Sequence, residues 1–254
     1  MLLAIDIGNT NIVFGMNIND EWANHWRIQT DPLKTADEYD VIFRTLLATE
    51  KTCRAEISGI IVSSVVPSLV HPFREMLPAL FESARIHFIT PNLYKQLPLK
   101  IPNPYEIGTD LVANSMAAFK KYGNNTMVID FGTALTFTTI GSNADILGVA
   151  IAPGLNTAVN ALAGKTAQLP QIHIAPPPSV IGKNTVHAIQ SGIIFGYTGL
   201  VESMIERTEA EINKSLTVVA TGGLSSVIAP LTKRVEYVEP MLTLDGLVYI
   251  NSFL

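Results

Sequence analysis

The sequence of 254 residues has one cysteine, Cys53. A single thiol cannot form an intrachain disulfide, and no Cys/His cluster with ligand spacing accompanies it. A disulfide scaffold and a structural zinc site are thereby excluded, and a reducing compartment is favoured. Basic residues are few: 17 Lys and Arg stand against 22 Asp and Glu, for a net charge of −5. With no basic run, the surface would repel a phosphate backbone, so nucleic acid is not an expected partner. No apolar run reaches the roughly 18 residues that span a bilayer. The first strand-like run, Leu2–Ile7, lacks a basic leader and is too short for a signal peptide. These absences predict a soluble, cytoplasmic protein with no membrane partner. Charged residues are also scarce, at 15% against 48% hydrophobic. That surplus suffices for large cores and points to further buried surface, such as a subunit interface. His25, His71, His87, His173 and His187 show no ligand spacing. Trp22 and Trp26 have the spacing of packing residues, and the methionines form no stripe.

What is present is a repeat. Leu2–Asn11 reads LLAIDIGNTN and Met127–Leu135 reads MVIDFGTAL. Each is an apolar strand, then Asp, one apolar residue, Gly and a small polar turn. Each continues into a second β-rich run, Ile12–Ile18 and Thr136–Ile140. Asp6 and Asp130 lie about half the chain apart, which marks an internal duplication. The remainder alternates between strand and helix patterns, predicting an α/β protein. Strands are expected over Ile57–Val66, Ile86–Ile89 and Thr217–Thr221. Helices are expected over Ser68–Phe81, Asp110–Tyr122, Leu155–Leu162, Thr185–Ile212 and Leu242–Phe253. Gly123 is a helix stop, and Pro176-Pro177-Pro178 is a stiff extended loop. A boundary near Pro102–Gly123 divides the chain into domains 1–113 and 114–254, with the final helix packing back on the first domain.

Three glycine turns suit a nucleotide. In Asp6-Ile7-Gly8-Asn9-Thr10-Asn11, the missing Cβ at Gly8 lets a phosphate approach the main chain. Thr10 and Asn11 add donors. Asp6 would hold Mg²⁺ directly or through water. A plain hairpin turn is the alternative reading, since Asn and Gly favour one in any case. Asp130-Phe131-Gly132-Thr133-Ala134 repeats the device, so two hairpins could grip one phosphate chain. Thr221-Gly222-Gly223-Leu224 follows a strand and offers flat backbone for a base and ribose.

In order and spacing, the turns resemble the phosphate-1, phosphate-2 and adenosine motifs of the actin, Hsp70 and sugar-kinase superfamily. That resemblance implies two ribonuclease-H-like domains with mixed sheets and an ATP cleft between them. Longer segments narrow it: NPYEIGTD at Asn103–Asp110, GVAIAPGL at Gly148–Leu155, TAQLP at Thr166–Pro170, and IGKNT at Ile181–Thr185 followed by QSG at Gln190–Gly192. With DIGNT at Asp6–Thr10, they resemble the type III pantothenate kinases over essentially the whole chain.

The resemblance implies phosphorylation of pantothenate to 4′-phosphopantothenate, the first step of coenzyme A biosynthesis, by a homodimer. Position by position, the proton acceptor falls on Asp110. A carboxylate is the usual acceptor for the proton of an attacking alcohol, although an acid also suits the first turn of a helix. The ATP-binding stretch falls on Asp6, Ile7, Gly8, Asn9, Thr10, Asn11, Ile12 and Val13, with Gly132, Thr133, Gly222 and Gly223. Substrate contacts fall on Ile101, Gly108, Thr109, Asp110, Leu111 and Thr185, the last also a candidate helix N-cap. The metal positions are Asp130, for a monovalent K⁺ or NH₄⁺, and Asp6, for Mg²⁺. Two residues depart from the family pattern. Leu111 stands where an Arg is usual, and Ile101 where a Tyr is usual. Tyr105, Lys165 and Lys183 are the candidates to compensate. A kinase for another small hydroxyl compound, or a weakly catalytic regulatory paralogue, stay open as alternatives.

Overall fold

The computed structural model describes residues 1–48 and 56–254; Cys53 lies outside them. The described residues divide into two compact units. One is Met1–Ala117 with Leu242–Leu254, and the other is Ala118–Met241.

The first unit is built on strands β1 (Leu2–Ile7), β2 (Asn11–Ile18), β3 (Glu21–Gln29), β4 (Gly59–Ser64) and β5 (Arg85–Phe88). They lie in the order β3-β2-β1-β4-β5. β1, β2 and β3 form an antiparallel meander, and β4 and β5 extend the sheet in parallel from β1. Ile5, Ile7, Ile60 and Val62 are fully buried, as expected of central strands covered on both faces. Helix α1 (Ala36–Leu47) starts at a capping box between Thr35 and Glu38, which satisfies two otherwise orphaned backbone donors. Its Phe43 stacks on Phe14 of β2 at 4.2 Å and meets Phe73 edge-on at 5.7 Å. Phe73 belongs to α2 (Pro67–Leu80), which tolerates Pro67 in its first turn and carries Pro72 and Pro78 inside.

Helix α3 (Thr109–Tyr122) leads from one unit to the next and stops at Gly123, whose φ of +64° suits a residue without a Cβ. Helix α7 (Leu242–Asn251) packs on β1, β4 and β2 of the first unit. Its Gly246 lies so close to the Ala113 backbone that a Cβ would collide, and Thr243 donates to Asn114 at 2.8 Å.

The second unit repeats the plan. Strands β6 (Thr126–Phe131), β7 (Ala134–Ile140), β8 (Ile146–Pro153), β9 (Thr217–Thr221) and β10 (Tyr237–Val238) lie in the order β10-β9-β6-β7-β8. Again a three-strand antiparallel meander continues in parallel from its first strand. Strand for strand, β6 to β10 match β1 to β5, so the duplication read from the two Asp-Gly strands is a duplication of fold. Helices α4 (Leu155–Lys165), α5 (Thr185–Ile212) and the short α6 (Ser225–Ile228) complete the unit. Ile194, Val201 and Ile205 of α5 are fully buried against it. The stretch holding Pro176-Pro177-Pro178 has no regular structure.

Candidate active site

In the first unit the candidate residues gather at the C-terminal ends of β1 and β4. Asp6 is the fifth residue of β1 and half-buried. The hydroxyl of Ser63, at the end of β4 and fully buried, donates to its Oδ1 at 2.8 Å. Ser63 Oγ also lies 2.9 Å from Thr109 Oγ1. Thr109 Oγ1 accepts from the Ser64 backbone N–H at 3.2 Å and also lies 3.2 Å from the Ser64 carbonyl; because the Ser63 proton goes to Asp6, the single Thr109 proton closes the shorter contact to Ser63. One chain of hydrogen bonds therefore runs from Asp6 through Ser63 to the first residue of α3. The Thr109 hydroxyl is committed to β4, so its structural part is to anchor the loop before α3.

Asp110 follows at the first turn of α3. Its Oδ1 accepts from the Leu111 backbone N–H at 2.8 Å. Burial pushes its carboxyl above the usual range, while the backbone N–H of Leu111 pulls the other way. The same Oδ1 lies directly over Gly108, where an added Cβ would collide with it. Gly108 is thus the residue that lets the carboxylate take this position. Leu111 is buried and Ile101 half-buried. Of the candidate compensators, Tyr105 is 81% exposed, and Lys165 and Lys183 are exposed as well.

The β1–β2 turn is held from the side. Gly8 donates to the Asn11 carbonyl at 3.0 Å, Thr30 Oγ1 donates to the Gly8 carbonyl at 2.6 Å, and the Thr30 N–H donates to Thr10 at 2.9 Å. Asn9 and Thr10 are exposed at its tip. Ile7 and Ile12 are fully buried, so any contact they make with a nucleotide falls to their backbone.

In the second unit, Asp130 again sits one residue before the end of its strand, with Gly132 and Thr133 exposed at the β6–β7 turn. The turns differ in length. Residues 8–11 separate the paired Ile7 and Ile12, whereas residues 132–134 separate the paired Phe131 and Leu135. The second turn is buttressed by the start of α4. Gly154 donates to the Thr133 carbonyl at 3.0 Å, Thr157 Oγ1 donates to the same oxygen at 2.7 Å, and a Cβ on Gly154 would strike the Gly132 and Thr133 carbonyls. The Thr221-Gly222-Gly223 turn closes over Asp130. Gly222 has a φ of +87°, and a Cβ there would lie 2.7 Å from the Phe131 backbone. Two independent constraints therefore require glycine at 222.

Thr185 is exposed at the start of α5, but it is not the N-cap. That role belongs to Asn184, whose side chain accepts from the His187 N–H at 2.9 Å. An Asn one residue earlier outcompetes Thr because its carbonyl reaches the third backbone donor. Ser63, Thr30 and Thr157 carry no signal in the sequence, and Gly154 stands there only as part of the GVAIAPGL segment. Each is a common residue whose role exists only through a tertiary contact.

The family model for type III pantothenate kinase matches residues 2–207. The chain belongs to the type III pantothenate kinase family. The type III pantothenate kinase of Moorella thermoacetica is 43% identical over 97% of both chains. That of Roseiflexus is 44% identical over 97% of this chain and 96% of its own. Among solved structures, an activator of 2-hydroxyisocaproyl-CoA dehydratase from Clostridium difficile with bound ADPNP superimposes with a TM-score of 0.58. It shares 13% identity, covers 99% of this chain and 95% of that one, and so shows a common fold. No helix among the described residues is long and apolar enough to cross a membrane.

Proposed function

We propose that the chain is an ATP-dependent kinase that phosphorylates pantothenate to 4′-phosphopantothenate, with Asp110 as proton acceptor. The observation that carries this reading is the Asp110 carboxylate. It is half-buried, raised in pKa by desolvation, seated over Gly108 and anchored through Thr109 and Ser63 to Asp6. A purely structural first-turn acid would lie at the surface and need no glycine beneath it.

ATP, when bound, supplies the γ-phosphoryl group. The turns at 8–11 and 132–134 fit phosphates, because their tips expose backbone beside glycines where a side chain would intrude. Gly222 and Gly223 offer bare main chain for the adenosine. Magnesium, when bound at Asp6, would offset the charge of the phosphates. Among the described residues no group of three or more His, Cys, Asp and Glu forms a metal cage. That suits Mg²⁺, which takes most of its ligands from phosphate and water. Asp130 would carry the monovalent cation. The acceptor's primary hydroxyl gives its proton to Asp110 as its oxygen bonds to phosphorus and ADP departs. Gly108, Thr109, Leu111, Ile101 and Thr185 would line the acceptor side. Homodimer formation and a cytoplasmic location complete the reading.

The test is ATP turnover with and without pantothenate, in potassium, ammonium and sodium buffers, with the phosphorylated product identified by mass. ADP formation that ignores pantothenate but responds to another alcohol would move the assignment to that acceptor. Equal rates in all three buffers would remove the monovalent site.

A further inference from the structure

Tyr94 lies in a short 3₁₀ turn, Leu93–Gln96, after β5. β1, β4 and β5 run parallel side by side, so their C-terminal ends share one edge of the sheet. Asp6, Ser63 and the Thr109 anchor of α3 occupy that edge, and the Ile89 N–H extends the β4 pairing by donating to Val62 at 2.8 Å. The chain from Ile89 to Gln96 therefore carries Tyr94 onto the end of the sheet where Asp110 stands. The ring is 4% exposed, yet its hydroxyl has no hydrogen-bond partner among the described residues. A buried phenol usually finds one, because leaving a polar group dry and unpaired is costly. Burial, with a further contribution from the Asp110 charge, pushes Tyr94 up to about 12, so the hydroxyl stays a neutral donor at working pH.

We propose that Tyr94 is a specificity residue, whose hydroxyl donates to an oxygen of the acceptor substrate beside its reacting hydroxyl. The unmet donor of the ligand-free protein is met on binding. An acceptor lacking an oxygen there leaves the phenol dry and is rejected on that account. This inference rests on the kinase reading above.

Tyr94→Phe removes one oxygen and leaves the ring. If the hydroxyl waits for substrate, the ligand-free variant melts at or above the wild-type temperature, because nothing in the free protein loses a partner. Its KM for pantothenate rises about fivefold or more, the scale of one neutral hydrogen bond. Its KM for ATP and the acid limb of its pH profile stay where they were. A lower melting temperature with unchanged pantothenate KM would overturn the proposal and make the phenol a structural group. A shifted acid limb with unchanged KM would overturn it in favour of pairing with Asp110. A wild-type enzyme that neither turns over pantothenate nor is stabilised by it would overturn the kinase reading and this inference together. Normal wild-type turnover with an unchanged KM in Tyr94→Phe would overturn this inference alone.

Discussion

The Oδ1 of Asp110 rests on the α-carbon of Gly108, with no room for a Cβ between them. Gly108→Ala must therefore push either the carboxylate or the loop aside. A displacement on the order of 1 Å of a reacting group can cost about 10²-fold in rate. We expect kcat/KM for pantothenate to fall by about that factor, with ATP affinity near normal. Steady-state kinetics in both substrates check this. An Ala variant with unchanged kcat/KM would mean that the carboxylate position is irrelevant to turnover.

Burial raises the Asp110 carboxyl above the ordinary Asp value of 3.8. A proton acceptor must be ionised, so the acid limb of the kcat/KM profile should fall above pH 3.8. A sign follows for stability. A carboxyl raised on folding binds its proton more tightly in the native state, so its stabilising effect is complete below pH 3.8 and is lost as pH rises through the native value. At neutral pH the half-buried, partly desolvated charge is a burden. Asp110→Asn should melt higher than wild type at pH 7, and that advantage should vanish below pH 3.8. Thermal melts across pH measure it; an Asn variant less stable at pH 7 would show that the ionised form is favoured by its surroundings.

Ser63 bridges Asp6 and Thr109 from a fully buried position. Ser63→Ala removes one hydrogen bond from the half-buried Asp6 carboxylate and one contact of the Thr109 hydroxyl, at a cost of about 1–3 kcal/mol. The denaturation midpoint should drop accordingly, and the Mg²⁺ concentration for half-maximal rate should rise as Asp6 loses its orientation. A midpoint unchanged within error would show the bridge to be dispensable.

Gly154 and Thr157 hold the β6–β7 turn through the Thr133 carbonyl. Gly154→Ala would drive a methyl into the Gly132 and Thr133 carbonyls. The expected outcome is a rise of about tenfold or more in KM for ATP, the scale of one charge-assisted hydrogen bond, with a smaller change for pantothenate. The reverse pattern, pantothenate KM rising alone, would place that turn on the acceptor side.

Much of this is legible in the amino-acid sequence. The two Asp-x-Gly strands announced the duplication because strand, carboxylate and glycine sit in contiguous residues. Helix α5 was read with both ends right, since its start and stop carry polar and Asn signals. Other features were missed for physical reasons. The capping box of Thr35 and Glu38 was a visible start signal for α1 that was passed over. β3 and β8 have half-exposed faces, and neither contrasts enough with its flanks to stand out. Ser63 is one small polar residue at the end of an apolar run, and only β4 pairing beside β1 gives it Asp6. Gly108 is placed on the acceptor side by the resemblance, but its position beneath the Asp110 carboxylate exists only in the folded chain. Tyr94 sits among prolines and lysines, and nothing local signals that its ring is buried while its hydroxyl is not paired.

The most direct test is pantothenate-dependent ADP formation by wild type and Asp110→Asn, measured beside nucleotide binding to each. The account predicts that wild type turns over only when pantothenate is present. It predicts a loss of roughly 10²–10⁴-fold in the Asn variant, the range for a general base, with nucleotide affinity unchanged. Equal turnover in the two proteins, or no pantothenate-dependent turnover in wild type, would contradict it.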